Sequence, residues 1–464
     1  MLSLVLTVSA ALAGTETESL AQFVQRTAGR QAYGVYMLGQ KVGWSLVESR
    51  PGNYLGQPVA VSSEEDWTEM LMMGERTVSH GKSVTYYALT GEGPVLACQE
   101  WSLEDGQEST IQVQRRADGL RIERYSPAGE TIRTIEEVRD NLAESQRLER
   151  WLAGARPGDQ FSDWSCDWSA QECDSETRLT FRESQPPFFL LQLTQQGARG
   201  EMLARPDGSA ERVSIGTGVE LRAEGEAQAR QLDPPREMLD LMMVQGGREL
   251  GEARTVRGLT MEVEGLDDFP LPESHRQRLR REDQRLLLVT GEDLPTDMGR
   301  SLTADERTRY LASTPEIQVD SKMRELARRH GRGSEPREQA ERLKSWVFHR
   351  LEKTGASNAF TAHDVLHNRA GDCTEHSLLL VALLRAAGIP AREVGGLAYA
   401  RDGGFAWHAW AEFHDAHHWV SVDPTWDELP VDGTHIKLNN DPRDLAWINL
   451  VGRLKLKVVE VDYF

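Results

Sequence analysis

The sequence has few basic residues relative to its acidic ones. It contains 53 lysines and arginines against 73 aspartates and glutamates among 464 residues, a formal net charge of −20 at pH 7. Nucleic acid and anionic membrane surfaces are negatively charged as well, so this excess of acid argues against both as partners. Hydrophobic residues make up 39% of the chain, which is enough for ordinary cores, and the length predicts two or three globular domains.

Long hydrophobic runs are also missing. A short apolar run extends from Leu2 to Ala13, and no other stretch approaches the length that a transmembrane helix needs. No Lys or Arg precedes this run, but its length and the small residues at its end are typical of a signal peptide. We therefore expect residues 1–13 to be a signal peptide and the protein to be extracytoplasmic, either periplasmic or secreted.

Cys373, one of only four cysteines, precedes a strongly apolar segment. Residues 377–387 are nearly all apolar, which predicts a buried helix that ends at Gly388 and Pro390. Asp372 is a suitable N-cap for this helix. A cysteine in the first turn lies near unpaired N–H groups and the positive end of the helix dipole, which favours thiolate over thiol. Cys373 is therefore a candidate nucleophile with a lowered pKa.

Two segments after this helix have the composition of β-strands. Residues 405–413 and 418–423 are rich in aromatic and β-branched residues and flank a short polar turn near residue 415, which predicts an antiparallel hairpin. A turn centred there places His408 directly opposite Asp423. Opposite residues share a face, so the carboxylate could accept a hydrogen bond from the imidazole and fix its tautomer. A slip of one residue would move Asp423 to the other face.

These segments resemble the transglutaminase-like superfamily. The matching text is FTAHDVL at 360–366, GDCTEH at 371–376, LRAAGIPAR at 384–392, HAWAE at 408–412, WVSVDPT at 419–425 and THIKL at 434–438. The resemblance covers roughly residues 310–440 and is greatest to the bacterial, exported members. It implies an α+β, papain-like core in which a Cys-bearing helix packs on an antiparallel sheet that carries the His and the Asp.

The resemblance also implies roles for three residues. Cys373 would be the nucleophile, His408 the general base and acid, and Asp423 the group that orients His408. The reaction would be acyl transfer from a protein or peptide amide through a thioester. An amine acceptor would make the protein a transglutaminase, whereas water would make it a protease or amidase, and the residues do not distinguish these.

A second hypothesis comes from another class of function. The transglutaminase-like part could be an inactive scaffold in an exported binding or assembly protein, with the N-terminal half carrying the function. The intact Cys-His-Asp set argues against this hypothesis. An inactive scaffold should have an unreactive thiol or a blocked cleft, and it should tolerate replacement of His408 and Asp423.

Other interpretations of single residues are weighed against these roles. Cys373 alone could be a buried structural thiol, and His376, three residues along the helix, could act as the base. Three histidines at 414, 417 and 418 could suggest a metal site, but they are better explained as solvated turn residues. No calcium loop of the D-x-D-x-D-G type occurs, so we expect no metal and no cofactor. Among the tryptophans, Trp410 shares the face of His408 and is a candidate wall of the substrate site.

The remaining cysteines allow at most one intramolecular disulfide if Cys373 stays reduced. Cys166 and Cys173 are the natural pair because they lie seven residues apart, and an exported protein would favour their oxidation. The alternative is two reduced thiols in a cytoplasmic protein. Cys98 would be left as a free thiol in either case.

The first half of the chain predicts many short strands. Alternating segments flank Gly39-Gln40, and further hairpin turns occur at residues 117–119 and 205–208, which suggests a β-sandwich or an open barrel. We divide the chain into a signal peptide at 1–13, a β-rich domain at 14–232, a connecting α/β segment at 233–304 and a catalytic domain at 305–464. Within the connecting segment, the charged stretch at 275–284 is expected to form a solvated helix face.

Overall fold

A computed structural model describes residues 18–216, 218–267, 269–291, 299–355, 359–441 and 444–464. The chain forms two compact units that divide between Glu237 and Met238. The expected signal peptide at 1–13 lies outside the described residues. None of the described helices combines the length and the apolar composition needed to cross a membrane.

The first unit is built mainly from strands. Its described elements are α1 Leu20–Thr27, β1 Gly29–Met37, β2 Gln40–Tyr54, β3 Gln57–Met72, β4 Glu75–Ala88, β5 Val95–Glu104, β6 Gln107–Arg116, β7 Gly119–Ser126, β8 Gly129–Ile135, α2 Leu142–Gly154, β9 Gln160–Asp167, β10 Glu172–Gln185, β11 Phe188–Gln195, β12 Ala198–Ala204, β13 Ala210–Ile215, β14 Val219–Glu224 and α3 Glu226–Ala229. The expected hairpin turns near residues 39, 118 and 207 all separate consecutive strands of this series.

These strands form one antiparallel sheet rather than a sandwich. Strands β1 to β8 are paired in sequence order, β9 to β14 likewise, and β1 pairs with β14 to join the two runs. Each hairpin adds one strand to the edge of the same sheet, so no crossover begins a second sheet. The sandwich alternative is therefore wrong. Strands β8 and β9 are the two edges, and Arg133 of β8 donates a hydrogen bond of 3.0 Å to the carbonyl of Gln171, just before β10.

Helices α1 and α2 contribute to the core on one face of this sheet. Phe23 and Val24 of α1, with Leu142 of α2, join a cluster of buried residues from β3 to β7. Cys166 of β9 is bonded to Cys173 of β10 in the same cluster, so the predicted disulfide pair is confirmed.

The second unit contains the Cys373 helix and most of the helical residues. Its described elements are α4 Met238–Met242, β15 Val244–Gln245, β16 Val256–Glu264, β17 Gln277–Glu282, β18 Arg285–Gly291, α5 Ala304–Leu311, α6 Ser321–His330, α7 Pro336–Arg350, β19 Glu352–Lys353, α8 Ala362–Asn368, β20 Ala370–Gly371, α9 Cys373–Ala386, β21 Ala391–Arg401, β22 Gly404–His414, β23 Trp419–Val422, β24 Ile436–Lys437 and β25 Lys455–Tyr463. Short 3₁₀ helices lie at Ala253–Thr255 and Leu445–Leu450.

Helix α9 is the centre of this unit. It packs on β21 and β22, and α6, α7 and α8 pack around it. Its residues from Leu378 to Leu384 are at most 5% exposed, because the helix is apolar on every side and has neighbours on every side. Strand β22 pairs with β21 on one edge and with β15 and β23 on the other. The described chain is thus mostly β, with an arrangement compatible with the expected α+β class.

The division at residue 305 differs from the structure. Strand β16, from the expected connecting segment, pairs with β25 near the end of the catalytic region, for example Leu259 with Val461. Together with β17 and β18 these strands form a four-stranded antiparallel sheet. The described residues between 238 and 304 therefore fold as part of the second unit and not as a separate connector.

The charged stretch at 275–284 is a strand and not a helix. Residues Gln277–Glu282 form β17, and Asp283, with φ of +53°, closes a tight hairpin to β18. The charged residues indicated solvent exposure, but an edge strand is as compatible with exposure as a helix is. Charge alone does not show whether the apolar residues recur with the period of a helix or of a strand.

Candidate active site

Cys373 is the first residue of α9. The N-cap Asp372 accepts a hydrogen bond from the backbone N–H of Thr374 at 2.7 Å, and Glu375 Oε2 accepts one from the backbone N–H of Asp372 at 2.8 Å. This reciprocal capping fixes the first turn, as the sequence predicts for Asp372. The backbone N–H of Ala409, next to His408 on β22, lies near enough to the Cys373 sulfur to lower its pKa. The thiol therefore lies directly beside the strand that carries His408.

The thiol pKa is raised and not lowered. Cys373 is partly exposed, but the protein packed around its sulfur raises its pKa well above the usual value, and the charges of Asp372, Glu375 and Asp423 raise it further. The interaction with the Ala409 N–H lowers the pKa, but by less than burial raises it. The expectation of a resting thiolate is therefore wrong, because it considered the helix end without the burial and the carboxylates around it. These effects favour a protonated thiol at rest.

Alkylation should report this resting state. We expect the rate of Cys373 labelling by iodoacetamide to keep rising about tenfold per pH unit from pH 7 to 9, because only the thiolate reacts. Cys98 is an internal control, since it is 1% exposed and burial raises its pKa to about 12. Peptide mass spectrometry would follow both sites, and a labelling rate at Cys373 that is constant above pH 7 would contradict a protonated resting thiol.

His408 and Asp423 are joined by a short hydrogen bond. His408 Nε2 donates to Asp423 Oδ2 at 2.8 Å, and the two residues are 5% and 0% exposed. The register differs from the expected one, because β22 and β23 pair Glu412 with Ser421 and Ala411 with Val422. Asp423 is thus offset by two residues from the position opposite His408. The shift is even, so the carboxylate stays on the His408 face and reaches the ring diagonally.

The bond determines the tautomer of His408. A carboxylate only accepts, so Nε2 carries the proton and Nδ1 is left with a lone pair that can accept the proton of a thiol. Burial lowers the pKa of His408, while the charge of Asp423 raises it by less. Burial alone would raise the pKa of Asp423, but the charge of His408 and the bonds from His408 and His435 hold it well below its usual value. The resting pair is a neutral imidazole on an ionised carboxylate.

Trp426 and Arg254 support the outer side of His408. The Trp426 indole stacks on the imidazole with ring centroids 4.0 Å apart and planes 13° apart. The Arg254 guanidinium carbon lies 3.7 Å from the centroid of the same indole. Arg254 also forms an ion pair of 2.8 Å with Asp432 and donates to the carbonyl of Tyr399 at 2.9 Å. A residue from before position 305 thus forms part of the site.

A second histidine binds the same carboxylate. His435 Nε2 donates to Asp423 Oδ2 at 3.4 Å, and His435 Nδ1 donates to Asp432 Oδ1 at 3.1 Å. His435 directly precedes β24, which pairs with β21 at Gly396. A Cβ at Gly396 would clash with the carbonyl oxygen of Ile436, so glycine there permits the close pairing that places His435.

Three other residues weighed from the sequence lie near this pair or at the turn. Trp410 shares the His408 face but is 2% exposed and lies edge-on to His435 at 5.1 Å, so its role as a substrate wall stays a prediction. His376 is 0% exposed and donates from Nδ1 to the carbonyl of Asp372 at 2.7 Å. His414 bonds the carbonyl of Arg300 at 2.9 Å, so it is engaged by the backbone.

Sequence reasoning missed the roles of Arg254, Trp426, Asp432 and His435. The segment THIKL at 434–438 was part of the resemblance, so His435 was included in it but was assigned no role. The carboxylate of Asp432 and the imidazole of His435, three residues apart, were the available signal. The polar atoms of His408, Asp423 and His435 lie within 4.8 Å of one another. Because both imidazoles are hydrogen-bonded to the one carboxylate, we interpret this cluster as a proton-linked network and not as a metal centre.

Comparisons with known proteins agree with the resemblance in part of the chain. Residues 324–424 match the family profile of the transglutaminase-like superfamily, so the chain contains such a domain there. A protein of Haemophilus influenzae, named only as uncharacterized, is 32% identical over 109 residues, which is 22% of this chain and 29% of that protein. The chain thus spans under a third of the length of this curated relative. The profile includes Cys373, His408 and Asp423 and ends before His435.

Two solved structures also show similarity. One, from Cytophaga hutchinsonii, is described as a putative cysteine protease and is 18% identical, with 46% of this chain and 86% of that chain covered and a TM-score of 0.28. The other, from Parabacteroides distasonis, is described as a putative protease and is 10% identical, with 79% and 70% covered and a TM-score of 0.21.

Proposed function

We propose that the second unit catalyses thiol-dependent acyl transfer from a protein or peptide amide, with Cys373 as nucleophile, His408 as general base and acid, and Asp423 as the group that orients His408. The observation that carries the proposal is the 2.8 Å bond between His408 Nε2 and the buried Asp423, together with the influence of the next N–H on the His408 strand, that of Ala409, on the Cys373 sulfur. This arrangement leaves Nδ1 of His408 as the ring nitrogen that can accept a proton.

The first half-reaction forms a thioester. As the sulfur attacks the amide carbon, its proton passes to His408 Nδ1, so the base works during attack and no resting thiolate is needed. The oxygen of the tetrahedral intermediate is negatively charged, and N–H groups in the first turn of α9 supply donors for it. When the C–N bond breaks, His408 returns the proton to the leaving amine, and the acyl group remains on Cys373.

The second half-reaction determines the class of enzyme. A primary amine that attacks the thioester gives a new amide, as in a transglutaminase, and water gives an acid, as in a protease or amidase. Both acceptors lose a proton to His408 as they attack. The proposed site of action is outside the cytoplasm, which the disulfide Cys166–Cys173 and the apolar N-terminal run support.

The test is to capture the thioester. The protein is incubated with a glutamine-containing peptide, quenched in acid and analysed by mass spectrometry, with released ammonia measured in parallel. We expect an adduct on Cys373 with the mass of the peptide less ammonia. When a primary amine is added, the thioester should be converted to an amide product. Without an amine, it should be hydrolysed to an acid product if water is the acceptor.

Two outcomes would contradict the proposal. Ammonia release that continues after Cys373 has been alkylated would exclude it as the nucleophile. Neither ammonia nor an adduct across a panel of glutamine, asparagine and backbone-amide peptides would favour the inactive scaffold, and attention would move to the first unit.

A further inference from the structure

His435 is a buried cation between two carboxylates. Both ring nitrogens donate, one to Asp423 and one to Asp432, and this is possible only for the protonated ring. Burial alone would lower the pKa of His435, but the charge of Asp432 and the hydrogen bonds that His435 donates to both carboxylates raise it to about 9. The side chain is 1% exposed, so the charge is paired inside the protein and not by solvent.

Aromatic side chains complete the surroundings of this cation. Trp410 lies edge-on to the His435 ring with centroids 5.1 Å apart, Trp426 lies 5.5 Å away, and His408 lies 5.5 Å away at 63°. The ring is thus confined on several sides, and its two hydrogen bonds fix its rotation. Because the His435 ring is fixed in this way, it can in turn fix the position of the Asp423 carboxylate.

Asp423 has three donors that fix its position. Oδ1 accepts the backbone N–H of Thr425 at 2.6 Å, and Oδ2 accepts from His408 at 2.8 Å and from His435 at 3.4 Å. Without His435, only the His408 bond would hold Oδ2, so the orienting group would itself depend on the ring that it orients. His435 supplies an independent contact.

We propose that His435 is a positioning residue, which fixes Asp423 through a second, charged hydrogen bond and thereby leaves His408 free to accept the thiol proton. The inference rests on the acyl-transfer function proposed above, because it assigns His408 the role of base. The positive charge at His435 offsets that of Asp423 and so limits how strongly Asp423 draws a proton onto His408. His408 can therefore remain neutral until the thiol gives up its proton.

Several titratable or charged groups face this network, and each contributes to its expected pH dependence. They are Asp423, Glu428 and Asp432 from the segment after β23, His408 from β22, Arg254 from the 3₁₀ helix at 253–255, and Cys373 and His376 from α9. His435 and Arg254 both lower the pKa of His408, and Asp423 raises it. Removing the His435 charge should therefore raise it.

The test is an NMR titration of His408 in the full chain, which does not depend on turnover. Protein labelled in its histidine rings is titrated as the parent, as His435→Gln and as Asp432→Asn, with the His408 signal assigned from its loss in His408→Ala. In His435→Gln the midpoint should rise by about one pH unit, because a positive charge 5.5 Å away is removed. Asp432→Asn keeps the His435 ring but weakens its protonation, and it should give a smaller rise.

Kinetics provide the second readout. The acid limb of the pH profile should move to higher pH by the same amount in His435→Gln, with kcat at pH 7 lower by at most about threefold and KM unchanged, because less His408 is in the neutral form. His414→Gln is the matched control, since His414 is 5% exposed, lies on the same strand as His408 and bonds a backbone carbonyl outside the network. It should leave the His408 midpoint unchanged.

The outcomes separate the two proposals. A His408 midpoint that stays within about 0.2 units of the parent in both network variants would overturn the role of His435, whatever the activity. If His435→Gln fails to fold, the Asp432→Asn titration decides alone. A raised midpoint in a protein that shows no turnover and no thioester would support the positioning of Asp423 by His435 and refute only the proposed acyl transfer.

Discussion

Replacing Cys373 by alanine is expected to abolish acyl transfer, with kcat/KM lowered by about 10⁴-fold or more. The sulfur is the atom to which the acyl group would be attached, and Ala409 N–H and the first turn of α9 are arranged around it. No other described residue lies in this position, since Ser377, one turn further along the helix, is 0% exposed. The measurement is the initial rate of ammonia release from a glutamine-containing peptide.

The natural control for this variant is the other free thiol. Cys98 lies in the first unit and is 1% exposed, so Cys98→Ala should retain the parent rate once its folding is verified by circular dichroism. Cys373→Ala with more than a tenth of the parent rate would mean that another group is the nucleophile.

Asp423→Asn should lower kcat by about 10³–10⁴-fold with a small change in KM. The asparagine has the same shape, but its amide presents a donor as well as an acceptor. His408 could then bind through a lone pair on Nε2, which would place the proton on Nδ1, the nitrogen that must accept the thiol proton. The variant would also leave the His435 cation with Asp432 as its one remaining carboxylate partner.

Asp427→Asn is a matched control from the same segment. Asp427 accepts a hydrogen bond from Ser345 and forms an ion pair with Lys344, both on α7, so its charge is engaged by that helix. We expect its kcat to stay close to the parent, measured over the same pH range. Loss of activity smaller than tenfold in Asp423→Asn would show that Asp423 does not orient the base.

The core of the site could be predicted from the sequence because local patterns determined it. Asp372, Cys373 and the apolar run define the start of α9, and alternation along β22 and β23 puts His408 and Asp423 on one face. The register could not be predicted, because the turn is held by side-chain bonds. Asp415 Oδ1 accepts the N–H groups of His417 and His418, which lengthens the turn and shifts the pairing by two.

Properties that depend on distant packing could not be predicted. The thiol pKa depends on how much protein surrounds the sulfur and on which carboxylates face it. The sequence pattern that predicts the helix gives neither of these. Arg254 comes from the opposite end of the second unit in sequence, far from the segments that carried the family resemblance. Its contacts with Trp426 and Asp432 exist only because the sheet of β16 and β25 brings its segment to the site.

That sheet joins the two sequence ends of the second unit. Val256, near the start of the unit, pairs with Tyr463, and the pairing continues to Glu264 with Lys455. Chain ends that meet on neighbouring strands are the usual condition for circular permutation. A linker from the end of β25 to the start of the unit at Met238, with the chain opened at another surface loop, should give a permuted unit in which the order of Arg254, Cys373 and His435 along the chain changes and their arrangement in space does not.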